Sequence, residues 1–239
     1  VATDLIRSGR ADAVLAGGAD ELCFETFYGF LRAGRLCGSA DAGEYPIPFD
    51  ARRNGFALAE GAALLMLEEA GAAAARGASA LAEVRGHGAA FDSSRGADAA
   101  RAARAVERAA MAALADAGAA ASAVAFVSAA ANGSPEGDRQ EAAGLAAALG
   151  PGAAEVPVAA IKAMLGEPLG AGGALQAIDA LETWHDGNLP GIPSLEPEPG
   201  LALAPARESR RVGRSGLALL SARGFDGGAA ALALGPAAA

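Results

Sequence analysis

Lys162 is the only lysine in a 239-residue chain that otherwise carries its positive charge on arginine, and it stands just ahead of a glycine-rich turn in VAAIKAMLGEPLGAGGALQ (158–176). A compact ammonium on a flexible stem suits a buried or site-directed role better than a planar guanidinium does, so its placement marks a candidate site. The plainer reading is that an Ala- and Arg-rich composition displaced the surface lysines and this one remained. Gly166, Gly170, Gly172 and Gly173 permit backbone conformations and close approaches closed to other residues. The other reactive side chains are few. Cys23 and Cys37 have no metal-type spacing and read as structural thiols. His87 in RGHGA and His185 in TWHDG read as surface or packing residues.

The elements that must position Lys162 follow from the apolar pattern. Val156–Ile161 reads as a strand leading into it and Ala171–Leu181 as a tightly packed helix after it, ending near Asp186. Upstream, Val124–Ala131 is a strand, Asn132–Gly137 (NGSPEG) a turn, and Asp138–Leu149 a helix with Asp138 as a first-turn anion. Ala97–Ala117 has the spacing of an amphipathic helix ended by Gly118. Near the N-terminus, Val1–Ser8 is a helix stopped by Gly9, and Ala11–Ala16 a buried parallel strand bounded by Gly17 and Gly18. In Glu21–Leu36 the aromatics Phe24, Phe27, Tyr28 and Phe30 line one face, as core or subunit interface. Asp41–Asn54 is a loop, Gly55–Glu69 two strands kinked at Gly61, Ala70–Arg76 a short helix and Ala80–Ala89 a strand. Asn188–Pro205 is proline-rich and extended; strands Gly216–Ala222 and Ala229–Leu234 follow, joined by ARGFDGG. Alternating strands and helices predict an α/β fold with a mainly parallel sheet.

Composition excludes several function classes. The net charge of −9 argues against nucleic acid, whose phosphates demand a basic surface, and weakly against an acidic partner on this chain alone. No apolar run approaches the roughly 20 residues of a membrane span, and no signal peptide is recognisable. Two cysteines do not make a disulfide framework, which fits a reducing cytoplasm. No metal or cofactor motif is present. A start at Val1 suggests a processed product, a fragment or a non-ATG start.

The order ADAVLAGGAD, PFDARRNGFALAEGAALLMLEE, ANGSPEGD, KAMLGEPLGAGGALQ and GFDGG resembles the β-ketoacyl synthases of the thiolase superfamily over nearly the whole chain. The resemblance implies a thiolase-like α/β fold of which this chain holds the later part of the N-terminal half (1–90) and the complete C-terminal half (91–239). The family's active cysteine would lie just before Val1. Its first histidine, in an AHGT pattern before a Pro-x-Gly-Asp turn, falls on Asn132 if a two-residue gap is allowed and on Ala130 without one. Its KSMTGH pattern reads Lys162-Ala163-Met164-Leu165-Gly166-Glu167, keeping the lysine and replacing the second histidine by Glu167. Its closing GFGG turn reads Gly224-Phe225-Asp226-Gly227, with Arg223 where a phenylalanine usually faces the site.

Claisen condensation needs a thiolate to hold the acyl chain and two imidazole donors at developing negative charge. An ionised Glu167 would repel an enolate, and it could donate only if burial raised its pKa. Loss of one such donor typically costs about two to three orders of magnitude in rate. The resemblance therefore points to a chain-length factor, the noncatalytic partner of an active ketosynthase in type II polyketide synthases, with similar partners in aryl-polyene and related pathways. It implies pairing with a catalytic ketosynthase subunit, access to an acyl carrier protein through that complex, and a tunnel or gate for which Phe24, Phe27, Tyr28, Phe30, Arg223 and Phe225 are candidates. Lys162 would pair with Glu60 or Glu167. The missing N-terminal segment, or another chain, should cover an apolar sheet edge and face. Two alternatives remain: a divergent acyltransferase or β-ketoacyl synthase using Asn132, Lys162 and Glu167 with a nucleophile from the missing segment, and a regulatory fragment without a tunnel.

Overall fold

The structure is a computed structural model describing residues 1–38 and 43–237; Asp41 and Ala42 of the predicted loop lie outside the described residues. In chain order the elements are α1 (Ala2–Arg7), β1 (Ala13–Asp20), α2 (Phe24–Arg32), β2 (Gly61–Glu68), α3 (Ala70–Ala75), β3 (Ala82–Phe91), α4 (Ala99–Asp116) and β4 (Val124–Ser128). There follow α5 (Pro135–Leu149), β5 (Pro157–Ala159), α6 (Lys162–Leu165), α7 (Gly172–Asp186), β6 (Asn188–Leu189), β7 (Ala204–Pro205), β8 (Arg210–Arg211), β9 (Leu217–Arg223) and β10 (Gly228–Pro236).

A six-stranded sheet in the order β3-β10-β9-β4-β5-β7 forms the centre. It is mixed rather than mainly parallel. The β9, β4, β5 and β7 neighbours run parallel, whereas β10 is antiparallel to both β9 and β3. The physical reason is the short ARGFDGG connection: a tight hairpin can only return its second strand antiparallel, and β3 then pairs on the far side of that strand. The expected two strands in Gly55–Glu69 reduce to one, β2, which Gly61 begins. Residues 55–60 are extended but meet loops instead of a strand, through isolated bridges from Phe56 to Leu36 and from Leu58 to Glu167.

Layers form because β4 alternates its apolar residues across the sheet. Val127 packs with α4 and α5 through Ala109, Ala113, Leu145 and Leu149; Phe126 packs on the other side with Ala177, Ala180 and Trp184 of α7, its ring 5.7 Å from the Trp184 ring. The alanine-rich face of α4 lets backbone approach backbone. A β-carbon on Gly88 of β3 would lie 2.2 Å from the Ala109 carbonyl oxygen, so glycine is required there. Asp98 caps α4 by accepting from the Ala100 and Arg101 amides.

Beyond α7 lies a two-stranded antiparallel ribbon of β1 and β2. β1 was expected to be buried and parallel; it runs through both glycines to Asp20, antiparallel to β2, with every second residue exposed. Gly18 is needed where β1 meets the turn before α7, since a β-carbon there would sit 2.0 Å from the Gly170 carbonyl oxygen. Three of the four residues of the aromatic run are not core: Phe24 is 72% exposed, and Phe27 and Tyr28 are exposed with it on α2, whereas Phe30 is half-buried. The helix expected from Asp138 starts earlier, at Pro135, where a proline's fixed φ and missing amide suit the first turn.

Candidate functional site

Three chain segments converge beside α7. β5 delivers Lys162 to the start of α6, and Gly166 ends that turn at φ +74°. A β-carbon at Gly166 would lie 2.9 Å from the Ala57 carbonyl oxygen, which leaves room only for glycine at the point where the chain crosses residues 57–59. Glu167 is then pinned to that segment on both sides: its amide donates to Ala57 O (2.8 Å) and its carbonyl accepts from the Ala59 amide (3.0 Å). From the end of β4 the chain turns at Asn132, whose Oδ1 accepts the Ser134 amide (3.0 Å) and whose own amide donates to Asp138 Oδ1 (3.1 Å).

The side chains meet on one carboxylate oxygen. Lys162 Nζ donates to Glu167 Oε2 at 2.8 Å and Asn132 Nδ2 donates to the same oxygen at 2.7 Å. Glu167 Oε1 accepts the Leu169 amide at 3.1 Å. Lys162 is 8% exposed and Glu167 4%. Of the two partners expected for Lys162, Glu167 is the one it bonds; Glu60 instead accepts the Leu22 amide at 3.1 Å. The three positions singled out for this site, Asn132, Lys162 and Glu167, thus form one hydrogen-bonded unit.

Two cavities flank the unit, of about 260 Å³ and about 190 Å³. Lys162, Glu167, Arg223 and Phe225 line both. Arg223 is tied to α5, donating to the Gly137 carbonyl and to Gln140 Oε1. The aromatic candidates divide. Phe30 turns inward, its ring centroid 5.0 Å from Phe225 and 5.2 Å from the buried Phe56, while Phe24 and Tyr28 stack on each other at 5.6 Å on the exposed side of α2. Phe27 is exposed and belongs to neither ring cluster. Neither cysteine nor either histidine lines either of these two cavities. Both thiols are half-buried; Cys23 Sγ lies 3.2 Å from Thr26 Oγ1, and burial pushes the Cys37 thiol up from its ordinary range. His87 sits 2.9 Å from Asp4, and His185 is exposed at the end of α7.

A second polar group under the cavities escaped the sequence reading. Glu141 of α5 is wholly buried, accepting from the Ala130 amide (2.8 Å) and from Ser221 Oγ, with Oε2 unpartnered. Burial pushes its carboxyl up, against the opposing pull of the Ser221 hydroxyl. Gln176 Nε2 bridges the carbonyls of Ser128 (2.9 Å) and Ser221 (3.1 Å). Asp138 is also buried; burial lifts its carboxyl to about 7 although it accepts the Phe49 and Gly133 amides and faces Arg53. The legible signal was spacing: Asp138 and Glu141, three apart in a helix, share the face that carries Ala142 and Leu145 into the core.

Residues 1–73 match the Beta-ketoacyl synthase, N-terminal domain, and residues 81–196 match the Beta-ketoacyl synthase, C-terminal domain. The chain belongs to the β-ketoacyl synthase family. Among curated relatives of this ketosynthase-family chain are both ketoacyl synthase subunits of the tetracenomycin polyketide synthase of Streptomyces glaucescens. The alpha subunit is 34% identical, over 94% of this chain and 54% of its own length; the beta subunit is 35% identical, over 95% and 55%. The solved ishigamide ketosynthase/chain length factor superimposes with a TM-score of 0.86 at 32% identity, covering 99% of this chain and 57% of that one. The chain therefore spans about half the length of the relatives it matches, and the central mixed sheet with its helices is the thiolase-like architecture of the family.

Proposed function

We propose that this chain is the later part of a noncatalytic ketosynthase-like subunit, a chain-length factor, that pairs with an active ketosynthase in polyketide or polyene biosynthesis. The observation that carries the reading is the Glu167 carboxylate between Lys162 and Asn132. Condensation requires N–H donors aimed at developing negative charge, and here those donors already point at a resident carboxylate. In this role the subunit acts by shape. Phe30 and Phe225 wall the acyl tunnel with Arg223 beside them, and the exposed Phe24, Phe27 and Tyr28 of α2 face the partner or the tunnel's continuation. An acyl carrier protein reaches the site through the complex. The boundary between the two thiolase-like portions falls near residue 90.

The near-equal likeness to an alpha and a beta subunit keeps one other reading in play, a divergent acyltransferase whose nucleophile precedes Val1. One experiment separates them. The protein is co-expressed with its cognate ketosynthase, and the complex and each subunit are assayed for malonyl-carrier decarboxylation and for product length. The chain-length-factor reading expects co-purification, no decarboxylation by this subunit alone, and a changed product length in the Phe30→Ala complex. Decarboxylation by the isolated subunit would reject it.

A further inference from the structure

Glu167 occupies the centre of a set of donors that has the form of a ligand site. Lys162 Nζ and Asn132 Nδ2 converge on Oε2, and the Leu169 amide meets Oε1. The N-terminal glycine of the fifteen-residue helix α7 closes the same corner: a β-carbon on Gly172 would lie 3.4 Å from Lys162 Cε and 4.0 Å from Glu167 Oε1. A helix start adds partial positive charge to the ammonium, so the corner favours an anion. Backbone bonds on both sides of Glu167 hold its carboxylate there. Open volume nonetheless reaches the group, since both cavities have Lys162 and Glu167 in their walls. The carboxylate is thus a buried anion at the edge of space large enough for a small molecule.

We propose that Lys162, Asn132 and the Leu169 amide form a carboxylate-binding cradle that the chain fills with its own Glu167, so that the native protein shuts out external short-chain carboxylates. This rests on the reading of the chain as non-condensing, and its test measures ligand binding alone. Glu167→Ala removes one methylene and the carboxylate, a fragment with the make-up of acetate. Acetate is therefore the probe.

Thermal unfolding is followed for the protein as isolated with its partner, in acetate and in chloride of equal ionic strength. Ligand that binds only the folded state raises the transition temperature with concentration. The cradle expects Glu167→Ala to bind acetate at least ~10-fold more tightly than the native protein, a difference of about 1.4 kcal/mol. It expects Lys162→Met/Glu167→Ala to lose that response. An acetate response in Glu167→Ala no larger than in the native protein overturns the proposal, as does an equal response in the double variant. If Glu167→Ala is not recovered folded, Glu167→Gln, which keeps the volume, serves instead. It should unfold at a lower temperature than the native protein, and Lys162→Met/Glu167→Gln should recover most of that loss; native-like stability of Glu167→Gln overturns the idea. Failure here leaves co-purification with a ketosynthase untouched, so the two readings fall separately.

Discussion

Lys162 and Glu167 are withdrawn from water together, and their 2.8 Å contact offsets a desolvation cost that neither could bear alone. Lys162→Met leaves the buried carboxylate without its counter-charge, held only by the Asn132 and Leu169 donors, and should destabilise the protein by about 3–5 kcal/mol. Lys162→Met/Glu167→Gln should restore most of the loss; chemical denaturation midpoints of the four proteins in the cycle check both statements. Asp179 of α7 makes a pH-dependent case. Its Oδ2 is buried without a partner, and burial lifts its carboxyl from 3.8 to about 6. Below about pH 3.8 the group is protonated in folded and unfolded chains alike and carries no extra cost. As pH rises through that value to about 6 the unfolded chain loses its proton first, so the folded state is progressively disfavoured, and the full penalty stands above pH 6. Asp179→Asn should therefore gain stability at pH 8 relative to pH 4 by about 2 kcal/mol, from roughly 1.4 kcal/mol per pKa unit less the part already present at pH 4, where the unfolded carboxyl is partly ionised. Equal effects of the substitution at both pH values would show that the carboxyl is not perturbed.

At the scale of elements, glycine sets how closely the layers approach. Gly88 brings β3 onto α4, and any side chain there must displace the Ala109 carbonyl, which is held in the helix ladder. Gly88→Ala should cost about 1–3 kcal/mol, whereas Gly173→Ala, with nothing within 4 Å, should leave stability unchanged or raise it by a few tenths of a kcal/mol. Thermal unfolding of the pair separates the effects. α2 shows why helical spacing alone could not assign its aromatics. The four positions share one amphipathic run, yet Phe30 joins Phe56 and Phe225 from distant segments, while Phe24 and Tyr28 stack in the open.

Across the whole molecule, the ribbon of β1 and β2 leaves one apolar face uncovered. Leu15 pairs with Met66 and Gly17 with Leu64 across the strands; Leu15, Leu64 and Met66 are 57%, 59% and 61% exposed. Contiguous exposed apolar surface marks an interaction site. Under the proposed assembly that face is covered by other polypeptide. Leu64→Lys/Met66→Lys should then weaken the complex or its folding while leaving the α4–α5 core intact, read as loss of co-elution in size-exclusion chromatography with circular dichroism retained. Unaltered co-elution would mean that the face is not part of the assembly. Among the described residues, no helix is long and apolar enough to cross a membrane.

Local pattern determined much of this protein. The boundaries of α1, α3, α4 and α7 and the strands β3, β9 and β10 follow from periodicity and glycine stops, because those signals act over one or two turns of chain. The motif KAMLGEPLGAGG carried the family and marked Lys162 and Glu167. Only the tertiary structure decided that the central sheet is mixed, that Lys162 bonds Glu167 rather than Glu60, and that Glu141, Ser221 and Gln176 lie buried beneath the cavities. The buried polar group forms only when segments 45 and 80 residues apart come within hydrogen-bonding reach. Although Lys162 and Glu167 are five residues apart, their meeting depends on the crossing at Ala57 and Ala59 that holds Glu167 in place.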